Sequence, residues 1–313
     1  MLRYSWAVRT LWGIDLGGTK IEGVVVDSEN PGEPLARRRV PTESDKGYSH
    51  ILATCSGLVE ALEADIGEKR PSAIGIGTPG SFDALTGRMR NCNTVCLNRQ
   101  PFPADLSIAL GCEAVVTNDA NCFALAEAVL GAAKGARCVF GVIIGTGVGG
   151  GIVLDGKIVN GPNGIAGEWG HNVVEPEGEP CYCGRRGCVE TVLSGPALER
   201  WYEKLSGERL PLPEIVAAHR TGGNTNATLT VERLCQEFGR CLATVVNVLD
   251  PDCIVLGGGV GQTDELYDLG TSELRKHVFH ECPKLDVRRP ALGDSAGVFG
   301  AALQVRSIGP ARP

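Results

Sequence analysis

Leu11-Trp12-Gly13-Ile14-Asp15-Leu16-Gly17-Gly18-Thr19-Lys20 runs without a break into Ile21-Glu22-Gly23-Val24-Val25-Val26-Asp27. Apolar and β-branched residues on both sides of the glycine pair predict a β-hairpin with a glycine turn. Such a turn can bring backbone N–H groups and the Thr19 hydroxyl against a phosphate, although a plain hairpin also accounts for the glycines. Asp15 shifts the balance, because a carboxylate beside phosphates suits Mg2+ with mostly water ligands. Leu35 to Val40 offers a third strand. Tyr48 to Ile66 has helical spacing, with Ile51, Leu52, Cys55, Leu58, Val59 and Leu62 on one face. Ser72 to Gly77 reads as a buried strand that ends in the loop Thr78-Pro79-Gly80-Ser81. Hairpin, helix and strand in that order describe an α/β lobe.

The pattern returns later in the chain. Val139 to Ile144 is a buried strand, followed by Gly145-Thr146-Gly147-Val148-Gly149-Gly150-Gly151 and a further strand, Ile152 to Leu154. Gly145, Gly147 and Gly150 satisfy the dinucleotide fingerprint, but that motif must open a helix and this one opens a strand. Gly151, Gly156 and Lys157 satisfy most of a Walker A motif, but Ile158 stands where Ser or Thr must bind Mg2+. What survives is a second glycine-rich strand-turn-strand. Two phosphate-type hairpins are a more specific signal than either alone.

Between them, Ala114 to Thr117 is a short strand leading to Asn118-Asp119-Ala120-Asn121, and Cys122 to Leu130 continues as a helix. Asp119 at that junction is an N-cap by position, or a general base toward a hydroxyl. Beyond the second hairpin, helices are expected at Gly195 to Leu205, Leu212 to Arg220, Thr228 to Leu249 and Ala296 to Gln304, with Asp250-Pro251 ending the longest. Cys253 to Leu256 is a buried strand. Gly257-Gly258-Gly259 after it is either a turn or a flat surface for an adenine ring.

Cysteines cluster in one place only. Gly167-Glu168-Trp169-Gly170-His171 precedes Cys181-Tyr182-Cys183-Gly184-Arg185-Arg186-Gly187-Cys188-Val189-Glu190. Thiolate and imidazole are the ligands zinc prefers, and four of them close a tetrahedral structural site. The chain has 13 cysteines in all; the other ten mostly sit among apolar residues and read as small buried hydrophobes.

Composition bounds the function. The 313 residues suit about two domains, each able to bury a core. Hydrophobic content of 43% and charged content of 21% are ordinary for a globular chain. A net charge of −7 argues against a nucleic-acid partner. Arg9 and Asp15 interrupt the only early apolar stretch, so no secretory signal is expected. The longest uncharged run, Cys138 to Leu154, is short for a membrane span and holds six glycines. A cytoplasmic protein without a membrane or nucleic-acid partner is the expectation.

Taken in order, the motifs at Asp15–Lys20, Asn118–Asn121, Gly145–Gly151, Gly167–His171 and Cys181–Glu190 resemble those of the ROK family, named for repressor, open reading frame and kinase. The resemblance implies an α/β fold of the two-lobed, actin-like ATPase (ribonuclease H-like) type with an inserted zinc-binding segment. It implies a small lobe at 1–119, a large lobe at 120–300 carrying the zinc segment 164–190, and a C-terminal helix end, 301–313, packing back on the small lobe. Asp119 matches the base that takes a proton from a sugar hydroxyl before attack on the γ-phosphate of ATP. Asn118, Glu168, His171 and Glu190 match sugar-binding positions. Asp15, Gly17, Gly18, Thr19, Lys20, Gly145, Thr146 and Gly147 match the phosphate turns, and Gly258 the adenosine side. His171, Cys181, Cys183 and Cys188 match ligands of a structural Zn2+. ATP and Mg2+ are the implied co-reactants, and a homodimer the implied assembly.

The substrate-side stretches, Pro79-Gly80-Ser81, Asn91-Cys92-Asn93-Thr94, Leu97-Asn98 and Pro101-Phe102 among them, resemble the fructokinase and mannokinase branch. A hexose phosphorylated at its 6-hydroxyl, fructose or mannose, is therefore expected. N-acetylglucosamine and glucose kinases share the core motifs and remain alternatives. A non-catalytic sugar-binding protein or ROK-type regulator is the alternative of another class. A regulator would carry a helix-turn-helix ahead of the first hairpin, where about ten residues stand. Since Glu168 and Glu190 flank the zinc ligands, metal removal is expected to damage sugar affinity before ATP affinity.

Overall fold

A computed structural model describes residues 10–83 and 85–307. The uninterpreted N-terminus up to residue 9, and the 308–313 end of the C-terminal segment, lie outside the described residues. In chain order the elements open with β1 (Thr10–Leu16), β2 (Lys20–Asp27), β3 (Pro34–Pro41), α1 (Tyr48–Ile66), β4 (Ala73–Thr78), β5 (Ser81–Asp83) and β6 (Arg88–Arg90). Next come α2 (Phe102–Leu110), β7 (Glu113–Asn118), α3 (Asp119–Val129), β8 (Cys138–Ile144), β9 (Val148–Leu154) and β10 (Lys157–Ile158). The chain continues through α4 (Val189–Leu193), α5 (Gly195–Ser206), α6 (Leu212–Thr221), α7 (Thr225–Leu249), β11 (Cys253–Gly257) and α8 (Gly258–Gly261). It closes with α9 (Thr271–His277), β12 (Val287–Arg288) and α10 (Ala296–Gln304).

The chain forms two compact units. Within the described residues, the first comprises 10–131, 156–166 and 292–307, and the second 132–155 and 167–291.

In the first unit the sheet order is β3-β2-β1-β4-β7. The β1–β2 and β2–β3 pairs are antiparallel, and the β1–β4 and β4–β7 pairs parallel. Side chains alternate between the faces. Trp12, Ile14, Leu16, Ile21, Ile74 and Ile76 pack with Ile51, Cys55, Leu58 and Leu62 of α1 and with Phe102 and Leu106 of α2. The other face carries Gly13 and Gly75, where a Cβ would collide with the backbone of Ala302 and Ala301. Glycine there lets α10 lie directly on the strands. Gly300 brings α10 equally close to Cys122 of α3. These backbone contacts draw 292–307 and the start of α3 into the first unit, so the unit is not a continuous run ending at residue 119.

In the second unit four strands run β9-β8-β11-β12, with β8–β9 antiparallel and the other pairs parallel. Phe140, Val142 and Ile144 pack with Leu198, Ile215 and the α7 stripe Val231, Leu234, Phe238, Leu242 and Val246. Burying each such side chain stabilises by roughly 1.5–3 kcal/mol.

Helices α1 and α10 match their expected spans, but other elements differ. β9 begins at Val148, not Ile152, and takes in Gly149, Gly150 and Gly151. Gly150 serves packing: a Cβ there would press within 3.0 Å of Phe140, Trp169 and the Gly167 carbonyl. The helix expected from Cys122 starts three residues earlier, at Asp119. The small β5–β6 hairpin and α2 were not expected; their strands and helix are too short for a clear period.

Candidate active site

In the first unit, Gly17, Gly18 and Thr19 form the β1–β2 turn, closed by Gly17 N–H donating to the Lys20 carbonyl at 2.9 Å. Neither glycine has a positive φ, and a Cβ on Gly18 would meet nothing within 4 Å. The fold places no demand for glycine at 18, whereas a phosphate needs open backbone N–H groups. Thr42, just past β3, fastens the turn from behind: its N–H donates to Thr19 O at 2.9 Å and its hydroxyl to Gly17 O at 2.7 Å.

Asp15 is cross-strand partner to Glu22 on β2 and lies beside Gly77 on β4. Its carboxylate packs against Gly297 at the start of α10. Burial pushes this carboxyl up to about 7, aided by the charges of Asp119 and Glu22 and opposed by Lys20 and Arg39. A buried carboxylate with a second one near enough for its charge to act on it suits a hydrated Mg2+, which takes one or two carboxylates and keeps its waters. Asp15 would hold it, and the cation would supply charge neutralisation to the phosphates.

Asp119 occupies the first position of α3, and the N-cap is Asn118, whose Oδ1 accepts from Ala120 N at 2.8 Å. The capping role open to Asp119 by position therefore belongs to its neighbour. Asn118 Nδ2 also donates to Gly80 O at 3.0 Å. Its amide thus ties the 78–81 loop to the helix start. Asp119 Oδ1 accepts from Ala120 N at 2.8 Å. Burial raises its carboxyl, against hydrogen bonds from Ala120, its own N–H and Asn118.

In the second unit, Gly145, Thr146 and Gly147 turn β8 into β9, with Gly145 N–H donating to Gly147 O at 2.9 Å. Gly195 N–H holds the Gly145 carbonyl at 2.8 Å. Glu190, in the first turn of α4, accepts from Val148 N at 3.0 Å. Its Oε2 would stand 2.7 Å from a Cβ on Gly147. The carboxylate expected on a sugar is thus also built into the second phosphate turn. Gly258 has φ +80°, and a Cβ there would strike the Ile144 carbonyl, so the fold itself requires this glycine. Gly259, where a Cβ would meet nothing within 4 Å, is the open position of the triplet.

The cysteine segment is a tight hairpin beside this turn. Cys181 N–H donates to Arg185 O at 2.8 Å and Gly187 N–H to Glu179 O at 2.8 Å. A side chain on Gly187 would collide with the Glu175 carbonyl, and its φ is +62°. The ligand atoms of His171, Cys181, Cys183 and Cys188 all lie within 4.8 Å of one another. Cys183 Sγ and Cys188 Sγ are 3.6 Å apart, as are Cys181 Sγ and His171 Nδ1. Tetrahedral zinc with Zn–S bonds of about 2.3 Å sets sulfurs about 3.8 Å apart, so the four groups fit that ion. Burial pushes the Cys183 thiol up, but Arg185 and the neighbouring thiols draw it down to about 7. Burial lowers the pKa of His171, which favours the neutral form a ligand needs. His171 Nε2 meets Tyr182 Oη at 2.9 Å, which fixes the ring with Nδ1 toward the thiols. With both nitrogens engaged, His171 serves the cluster before any sugar hydroxyl. Trp169 Nε1 donates to Gly149 O at 2.8 Å and anchors the Glu168 to His171 stretch on β9.

The structure thus gathers Asp15, the 17–20 turn, Asn118 and Asp119 in one unit. Glu168, the cysteine cluster, Glu190, the 145–147 turn and Gly258 gather in the other. Sequence reasoning missed Thr42, Tyr182 and the salt bridges of Glu22 with Arg37 and Arg39. The signal for the last was present: a carboxylate inside an apolar strand, and arginines two apart on the next.

Two α/β units, each presenting a strand–glycine turn–strand, define the actin-like ATPase class of sugar kinases. The family model for the ROK family matches residues 11–308. The chain belongs to the ROK family, as a sugar kinase by fold and by its relatives. It is 37% identical over 304 residues to an N-acetyl-D-glucosamine kinase of Vibrio cholerae, covering 93% of this chain and 98% of that one. A crystal structure of a ROK hexokinase from Thermus thermophilus superposes with a TM-score of 0.85 at 34% identity, over 94% of this chain and 97% of that one. A ROK family glucokinase from Streptomyces griseus, crystallised with glucose and AMPPNP, gives 0.75 at 30%, over 94% and 98%. These names favour the alternative substrates over fructose or mannose. Among the described residues, no helix is long and apolar enough to cross a membrane.

Proposed function

We propose that the protein transfers the γ-phosphate of ATP to the 6-hydroxyl of an amino-sugar or glucose-type hexose, with N-acetylglucosamine first and glucose second. The observation that carries the substrate choice is the 37% identity to an N-acetyl-D-glucosamine kinase along nearly the whole chain. Fructose and mannose, first in the sequence reading, become the comparison sugars.

Asp119 is the general base. It stands where a strand ends and a helix begins, its carboxyl raised by burial toward the operating pH, where a base works best. Asn118 fixes the backbone on either side of it. The two glycine turns position the phosphates, since phosphoryl transfer needs orientation and charge neutralisation more than covalent chemistry. Asp15 is the carboxylate for the cation. Glu168 and Glu190 accept from sugar hydroxyls, so a wrong epimer would leave an acceptor unpaired. The cluster of His171, Cys181, Cys183 and Cys188 holds a structural Zn2+, which closes its coordination and leaves no position for substrate.

A coupled ADP-release assay with Mg-ATP over N-acetylglucosamine, glucose, N-acetylmannosamine, mannose and fructose tests the reading. The highest kcat/KM is expected for N-acetylglucosamine; a preference for fructose or mannose would overturn the substrate choice. No sugar-dependent ADP release at all would overturn the activity.

A further inference from the structure

Glu22 is the one carboxylate in the middle of β2, and its side chain is 1% exposed. Three cations surround it. Arg39 donates through Nη2 at 2.7 Å and Nε at 3.1 Å, Arg37 through Nε, and Lys20 Nζ stands 3.9 Å away. Strand register explains the gathering: Asp15, Glu22 and Arg39 are successive cross-strand neighbours on β1, β2 and β3, in one row on the face covered by α10. Arg37 reaches from the same face to Ser295, two residues before the Gly297 that touches Asp15. Glu22 therefore stands between the arginines and Asp15. An arginine that finds no carboxylate on β2 has Asp15 as the next one along the row.

We propose that Glu22 is a positioning residue that occupies Arg37 and Arg39 and so reserves Asp15 for the divalent cation of the nucleotide. An Asp15–arginine pair would satisfy the carboxylate without a metal, and the cation would have to displace it. Arg39 is close enough for its charge to act on Asp15 already. Truncating only one partner of a buried pair leaves the other to find a new counter-charge. The arginines, each about two-fifths exposed, have the freedom to do so.

This inference rests on Asp15 being the cation-side carboxylate, and the experiment separates the two claims. Mn2+ binding to the protein with a non-hydrolysable ATP analogue is read by electron paramagnetic resonance, without turnover, and sugar binding is read by calorimetry. Glu22→Gln should weaken Mn2+ by at least about tenfold, up to the roughly thousandfold of one charge about 4 Å away at an effective dielectric of about 20, and leave sugar affinity unchanged. Arg37→Gln with Arg39→Gln, keeping Glu22, should shift Mn2+ the other way, because an unpaired carboxylate then faces Asp15. The triple variant should return to near the wild-type value. A role limited to stapling β2 to β3 predicts loss or no change in both, never opposite signs. Unchanged or same-direction Mn2+ affinity in the first two variants overturns the inference, even if Glu22→Gln is poorly folded and only the arginine variant can be measured. Asp15→Asn is the control: if it leaves Mn2+ binding intact, the assignment of Asp15 itself fails.

Discussion

The two glycine hairpins look alike in sequence and are backed in opposite ways. The 17–19 turn is held by Thr42 and flanked by a row of fixed charges, Asp15, Glu22 and Arg39. The 145–147 turn is held instead by the Gly195 N–H and by Glu190, a carboxylate carried on the element that follows the cysteine cluster. One turn therefore answers to charges built into its own sheet, and the other to the segment expected to read the sugar. Similar backbone turns can serve one reaction while taking their orientation from different parts of the chain.

The largest expected effect lies outside both turns and calibrates them. Asp119→Ala should lower kcat by about 10³-fold, within the range for a lost general base, with the circular dichroism spectrum and cluster metal content intact. Retained turnover would remove Asp119 from the chemistry. The pH profile carries the same assignment. The base works as carboxylate, so activity is lost as pH falls through its folded pKa. Because burial raises that pKa, the acid limb should lie above the ordinary carboxylate range.

The second break is aimed at the cysteine segment. Chelation, or Cys183→Ser, should lower sugar affinity first, through Glu168 and Glu190. The bond from Val148 N to Glu190 adds a consequence: a smaller loss of nucleotide affinity should follow. Binding of sugar and ATP analogue, measured by calorimetry before and after metal removal, separates this order from an equal loss that would mark global unfolding. The smallest effect belongs to Thr42→Val. Losing the hydroxyl bond to Gly17 O should cost about 1 kcal/mol of stability and raise the KM for ATP a few-fold, leaving the KM for sugar unchanged.

Much of this fold was legible because its signals are local. The apolar runs around Gly17-Gly18 and Gly145-Thr146-Gly147 read correctly as hairpins, and the stripe from Ile51 to Leu62 gave α1 its limits. The cysteine spacing pointed to four groups that do converge. What stayed hidden depends on distant partners. The start of β9 at Val148 follows from its pairing with Ile144 of β8, and Phe140 and Trp169 explain the glycine at 150 inside the strand. The capping of α3 by Asn118 rather than Asp119 follows from the grip of Asn118 on Gly80. Glu190 looked like a sugar ligand alone until its contact with Val148 was seen. The resemblance implies that the C-terminal helix end packs back on the small lobe, and 292–307 does belong to the first unit. The earlier start at 292 and the close seat of α10 rest on Gly13, Gly75 and Gly300, whose missing side chains carry no periodic signal.

The contrast between the hairpins is tested most directly by Glu190→Ala, with binding of the non-hydrolysable ATP analogue measured in the absence of sugar. If Glu190 orients the second turn, nucleotide affinity falls about tenfold or more even with no sugar present, the loss expected for a hydrogen bond to a charged group. Nucleotide affinity equal to wild type, with only sugar affinity lost, would contradict the account and leave Glu190 a sugar ligand alone.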